Sequence, residues 1–293
     1  MKNILILLTA AIFMSSCASE TKIFKAKNKL SGFEKQIQKE SAEVQDLKKE
    51  AYKKLQANKI DSNILDRIEK KLGKLDTARL MANQLKEILK DEKKTKWNYR
   101  SIVLPVLDSL KKINDQYAQR LTLYLMIKEG LSVANYKLFD LAAFFGPGKY
   151  QIPPEKVEKA ALFEPLIDSL MLFANKYSQY PRTATVVILG FADGTGVNPG
   201  ELYNTLLDSL KKPQASKEEL NKKLSELRAE ELSKQLTGLY LKKASGFKEV
   251  DKLKMEYVYQ GKGEAWPISN IKDYTVDDER RRIVLCYWIV LPD

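Results

Sequence analysis

Residues 188–196 read Ile-Leu-Gly-Phe-Ala-Asp-Gly-Thr-Gly, an apolar run that ends in a small loop carrying one carboxylate, Asp193. Two chemistries suit such a loop. Glycine-rich turns after strands cradle phosphate on their backbone amides. Alternatively, a single acid at a strand end presents a negative charge to a cation. The phosphate reading needs a G-x-x-x-x-G-K-[ST] string, but no Lys-Ser or Lys-Thr follows Gly196, and G-x-G-x-x-G is also absent there. The acid is therefore the chemically pointed group of the loop.

The rest of the composition narrows the chemistry further. The 293 residues include no histidine, so the commonest general base and metal ligand is missing. No plausible free nucleophile replaces it, and we expect no enzyme, no cofactor and no metal site. The formal net charge of +12 suits an anionic surface, either nucleic acid or an envelope polymer.

The amino terminus chooses between those surfaces. Lys2 precedes the apolar run 4–13, and Met14-Ser15-Ser16-Cys17 follows. A charged start, a short apolar core and small residues before a cleavage point form an export signal, and the run is too short to span a bilayer as a mature helix. A cysteine directly after small residues resembles the bacterial lipoprotein signal, which implies cleavage after residue 16 and lipid on Cys17. The bland alternative is an ordinary secretory signal with Cys17 incidental. Export makes nucleic acid an unexpected partner. With Cys17 acylated, the other cysteine, Cys286, has no disulfide partner and reads as a small buried apolar residue in the run 283–290.

The elements that must position Asp193 follow from periodicity. Leu30, Phe33, Ile37, Val44, Leu47 and Ala51 fall on spacings of three, four and seven, a heptad-like stripe flanked by Lys, Glu and Gln. The stretch 58–63 breaks it, with Asp61 or Ser62 available as a helix cap. Leu65, Ile68, Leu72, Leu75, Ala82, Leu85 and Leu89 form a second stripe, so the two helices pair as an antiparallel hairpin. A third helical segment covers about 101–130, with Val103, Val106, Leu110, Ile113, Tyr117 and Leu121 inward and Pro105 in its first turn. The second half alternates: strands are predicted at 138–145, 183–191, 254–260 and 282–291, and helices at 162–177 and 216–240. Such alternation gives a sheet with helices packed on it. The fold class is thus α+β preceded by an all-α hairpin or coiled-coil region.

Four strings in the second half resemble one family in its order. Gly190-Phe191-Ala192-Asp193-Gly194-Thr195-Gly196 resembles the G-h-T-D-x-x-G loop of OmpA-like peptidoglycan-binding domains. Asn221-Lys222-Lys223-Leu224-Ser225-Glu226-Leu227-Arg228-Ala229 resembles its N-x-x-L-S-x-x-R-A helix. Gly261-Lys262-Gly263-Glu264-Ala265-Trp266-Pro267-Ile268 resembles its G-x-G-x-x-x-P-I turn, and Arg280-Arg281-Arg282-Ile283-Val284 its N-R-R-V strand start. The likeness covers about half the chain, residues 138–290, and implies a βαβαββ-type sheet.

The resemblance implies a ligand, the diaminopimelate side chain of the cell-wall stem peptide, whose end carries an ammonium and a carboxylate on one carbon. By motif position Asp193 meets the ammonium and Arg228 the carboxylate, since an Arg fork gives two parallel charge-assisted bonds. Asn221, Leu224 and Thr195 join the ligand-binding set, loop amides at 194–196 add donors, and Arg281 and Arg282 support the site. Asn221 and Arg228 lie two helical turns apart and so can face one groove. The bland alternative leaves Asp193 capping its turn and Arg228 paired with Glu230 or Glu231 on a wet helix face.

Departures from the pattern are specific. Ala192 stands where the family has threonine, Gly146 where a carboxylate is expected, and Arg280 where asparagine precedes the arginine pair. An insert at about 197–220, amphipathic through Tyr203, Leu206, Leu207 and Leu210, reads as an extra helix at the mouth of the site. The expected organisation is a signal at 1–16, a helical stalk or bundle at 17–134 and an OmpA-like domain at 135–293. The expected function is a lipid-anchored outer-membrane protein facing the periplasm that grips peptidoglycan noncovalently. The alternative is an envelope scaffold acting through its helices, by protein partners or self-association, with a degenerate ligand site.

Overall fold

A computed structural model describes residues 2–57, 59–134, 137–140, 145, 149–154, 161–266, 273 and 275–293; for 2–19, 74–75, 137–140 and 279 it describes the backbone alone. The expected acylation of Cys17, the departure at Gly146 and the Pro267-Ile268 end of the turn motif lie outside the described residues or side chains. The chain is mixed α and β and divides into two compact units, Met1–Lys128 and Glu129–Asp293.

The first unit is helical. α1 (Lys2–Gln56) is followed by α2 (Ser62–Leu72), α3 (Lys74–Lys90), α4 (Glu92–Asn98), a π-helical turn (Tyr99–Val103), α5 (Leu104–Asp115) and most of α6 (Tyr117–Val133). Asp61 caps α2, its Oδ1 accepting from the Ile64 amide at 3.0 Å, and Asp91 caps α4 in the same way. The heptad-like positions face inward as the spacing predicts. Leu30, Ala82, Leu85, Leu89, Val103 and Leu110 share one core, with Phe33, Ile37, Val106 and Ile113 packed against it. The second stripe is not one helix, because Gly73 separates α2 from α3. Pro105 falls in the first turn of α5, where its missing N–H costs nothing.

Among the described residues of this unit one charge, Glu40, is buried. Glu40 accepts Arg120 Nε at 2.6 Å, Arg120 Nη2 at 2.8 Å and the Tyr124 hydroxyl at 2.6 Å. Burial and the Glu40 bond both push the Tyr124 phenol upward, so the tyrosine stays a donor.

The second unit carries a four-stranded sheet of order β1-β4-β2-β3, formed by β1 (Lys137–Asp140), β2 (Arg182–Gly190), β3 (Leu253–Gly261) and β4 (Ile283–Pro292). β2 and β3 are parallel, while β4 runs antiparallel to both β2 and β1. The parallel pair demands a long crossover, supplied by α8 (Glu201–Leu210) and α9 (Lys217–Lys242). The first strand is described over Lys137–Asp140, and the rest of its predicted span, 141–144, lies outside the described residues. The other three, and α7 (Glu164–Lys176), match within two residues. Every residue of β4 is buried, Cys286 among them, and desolvation pushes its thiol up, as expected of an inert apolar filler.

α9 starts sharply at a capping box, in which Ser216 Oγ accepts from the Glu219 amide and Glu219 accepts from the Ser216 amide. Its first half lies directly on sheet backbone. Gly190 and Gly261 are register partners at the ends of β2 and β3. A Cβ on Gly190 would sit 2.2 Å from the Ser225 carbonyl oxygen, and one on Gly261 would sit 2.1 Å from that of Lys222. Two side-chain-free positions thus let the helix approach closely and fix the height of Asn221, Ser225 and Arg228 over the strand ends. The insert helix α8 packs through Leu206 against Leu220 and Leu224 of α9, with Tyr203, Leu207 and Leu210 alongside.

Candidate functional site

The loop after β2 is held from both sides. Phe191 N donates to Ile283 O at 3.0 Å and Ala192 N to Gly263 O at 2.8 Å, so its start is stitched to β4 and to the turn after β3. Asp193 follows, 6% exposed. Its Oδ1 accepts from the Thr195 hydroxyl at 2.6 Å and the Thr195 amide at 3.2 Å, and its Oδ2 accepts from Arg282 Nε. Burial raises its pKa, but Thr195 and Arg282 outweigh that and hold the carboxyl below the usual carboxylate range. Asp193 is therefore an anion at neutral pH. Thr195, two residues later, supplies a hydroxyl to orient it despite Ala192.

Arg228 is also a buried charge, 7% exposed on α9. Its Nε donates to the Lys149 carbonyl at 3.0 Å, and the Phe145 ring centroid lies 5.6 Å from its guanidinium carbon. Among the described residues no hydrogen bond engages its two terminal nitrogens. Desolvation lowers its pKa to about 10, with the Arg282 charge adding to the fall and Asp193 opposing it. The pairing with Glu230 or Glu231 does not occur, because both glutamates pair with Lys234.

Asn221, 2% exposed, ties helix to loop by donating to the Asp193 carbonyl at 3.1 Å and to Glu264 Oε1 at 2.8 Å. Lys217 donates to the Gly194 carbonyl at 2.9 Å and lies 3.6 Å from Glu264. The two arginines of the strand start take different duties. Arg281 is buried and clamps the preceding turn, donating to the carbonyls of Thr275, Val276 and Glu264, and stacks 4.7 Å from the Trp266 ring centroid. Arg282 reaches Asp193 itself.

The chain matches no family model and no curated protein.

Sequence-predicted residues thus divide. Asp193, Thr195, Asn221 and Arg282 are joined by direct bonds or through the loop, and Arg228 stands near enough to feel both the Asp193 and the Arg282 charge. Leu224 lies in the apolar contact between α8 and α9. Two of the three expected loop amides are engaged: Gly194 N donates to Val276 O at 2.6 Å and Thr195 N to Asp193. Sequence reasoning missed Glu264 and Lys217. Glu264 sat inside the turn motif, but nothing in the spacing marked it as Asn221's partner. Chemically, the cluster combines two arginines with one engaged aspartate, and its uncommitted donors are those of Arg228. Such a cluster favours an anionic group at Arg228 in a setting poor in water, where a charge-assisted bond is strong. Among the described residues no cluster of His, Cys, Asp or Glu could hold a metal ion.

Proposed function

We propose that the second unit is an OmpA-like domain that binds peptidoglycan noncovalently through the diaminopimelate end of the stem peptide. The observation that carries this reading is a buried guanidinium, Arg228, whose terminal nitrogens have no hydrogen bond among the described residues and which feels the charge of an ionised, buried Asp193. A ligand carboxylate takes the Arg228 fork, and the neighbouring ammonium approaches the Asp193 oxygens from the remaining lone-pair directions. The β-α-β-α-α-β-β order, which is β-α-β-α-β-β once the insert helix α8 is set aside, and the four ordered motifs support the assignment. The whole protein is then an envelope lipoprotein, held to the outer membrane through Cys17, that links membrane to wall.

Sedimentation with insoluble purified cell wall tests the reading. Wild type pellets, while Asp193→Ala and Arg228→Ala stay in the supernatant. Wild type remaining in the supernatant, or both variants pelleting like it, removes the mechanism. One observation favours a second reading: both Asp193 oxygens already have donors from Thr195 and Arg282. In that reading the site is self-satisfied toward an ammonium and the protein works as an envelope scaffold through its helical unit. The same sedimentation separates the two.

A further inference from the structure

The helical unit presents an exposed aromatic and basic end. Trp97 is 89% exposed and Phe24 64% exposed. They sit at one level of the unit, because α1 runs antiparallel to α3 and α4 in a fixed register. Arg79 donates to Ser41, Lys86 to Glu34 at 2.9 Å, and Tyr99 Oη to Lys22 O at 3.5 Å. Seven residues separate Ser41 from Glu34 and seven separate Arg79 from Lys86, so each step back along α1 is matched by a step forward on its partner. Continued to the Lys22–Tyr99 bond, that register sets Phe24 beside the level of Trp97.

The same level is strongly basic. Residues 20–29 and 90–100 contain nine lysines and arginines against three carboxylates, Glu20, Asp91 and Glu92. Lys22, Lys25, Lys93, Lys94, Lys96 and Arg100 are all exposed. Backbone continuity adds a third observation: α1 leads from this level, without a break, back to residue 17, where the export signal would leave the chain at a membrane.

A tryptophan fully exposed to water is costly, whereas its amphipathic ring is at home at the headgroup level of a bilayer. Lysines around it draw an anionic lipid surface. We propose that this end of the helical unit is a membrane-contact surface, with Trp97 and Phe24 entering the interface and the lysines binding anionic phospholipid headgroups. This contact is encoded in side chains and requires neither acylation of Cys17 nor the wall-binding site.

The test uses the full chain with vesicles carrying brominated acyl chains, either phosphatidylcholine alone or phosphatidylcholine with one quarter phosphatidylglycerol. The run 4–13 can itself enter either bilayer, so the readout is the part of tryptophan emission that Trp97→Phe removes, with Trp266 and Trp288 retained. That part is quenched by the anionic vesicles at low salt and loses at least half its quenching in 0.5 M salt. It escapes quenching in phosphatidylcholine. The triple change K93Q, K94Q and K96Q lowers the affinity behind the quenching about a hundredfold, at roughly fivefold per lysine. Absence of Trp97 quenching in anionic vesicles, or equal quenching in both vesicle types, overturns the proposal.

Discussion

Arg282 Nε donates to Asp193 Oδ2 across 89 residues of chain, while Arg228, the third charge of the cluster, has no carboxylate of its own among the described residues. One acid is thus shared unequally between two cations. The paired arginine is part-exposed and the unpaired one is buried. Removing the exposed partner should therefore cost less than its short contact suggests, since solvent screens it. Arg282→Gln is expected to lower the stability of the second unit by about 1–2 kcal/mol, mostly by leaving Asp193 short of a donor. Urea unfolding followed through Trp288 measures it, and a change within error of zero shows that water replaces the arginine fully.

On the proposed reading, alkaline pH separates Arg228 from the rest of the cluster. Burial, aided by Arg282, pushes the Arg228 pKa down to about 10, below its value in the unfolded chain. The folded state thus loses that proton first. The penalty of burying the charge is fully present below about pH 10 and fades as pH rises from there toward the unfolded value. An anionic ligand needs the proton, so binding of a diaminopimelate-containing tripeptide should be constant from pH 7 to 9 and fall away above about 10. Calorimetric titration at pH 8 and pH 11, with Arg228→Gln as the uncharged reference, reads this directly. Equal affinity at both values removes Arg228 from the ligand.

Acid acts through Asp193, whose folded pKa is depressed below 3.8. Its contribution is fully present above the unfolded value and is lost as pH falls through the folded one. Wall binding should hold at pH 5 and fail only below about pH 4. Asp193→Asn is expected to abolish binding throughout and flatten the acid limb in a pelleting assay run across pH.

Gly190→Ala and Gly261→Ala test how α9 is seated. Each new Cβ meets helix backbone at about 2 Å, a collision that no rotamer change relieves. Each substitution should cost about 1–3 kcal/mol or more. Wall binding should fall with it, because lifting α9 withdraws Asn221 and Arg228 together. A thermal melt unchanged from wild type contradicts the close seating.

In the helical unit, Arg120→Met leaves Glu40 buried without its main partner. A loss of roughly 3–5 kcal/mol is expected, as for other broken buried pairs. The double variant Glu40→Leu with Arg120→Met recovers much of it, which denaturant titration of the two proteins compares.

Local rules carried much of this fold. The stripe of Leu30, Val44 and Leu47, the cap at Asp61 and the β-branched centre of β2 are short-range features that write themselves into spacing and residue type. The break at Gly73 was hidden, because leucines on both sides keep helical phase across it. In the cluster, motif order pointed to Asp193, Asn221 and Arg228 but did not distinguish Arg281 from Arg282. Adjacent residues leaving a turn point in different directions, and only the fold decides that one clamps backbone while the other reaches Asp193. Glu264 and Lys217 were illegible for the same reason: their meaning lies in a partner 43 or 23 residues away.

The crossover between the two parallel strands has a thermodynamic consequence. The cluster draws Asp193 from the end of β2, Asn221 and Arg228 from α9, Glu264 from beyond β3 and Arg282 from the start of β4. No fragment of the second unit can assemble it, so occupancy and folding are a single linked equilibrium. Ligand at a hundred times its Kd adds about 2.7 kcal/mol to the unit's stability. If the proposed anion binds, occupied copies open less often to proteases than empty ones, and the population is edited toward the occupied ones.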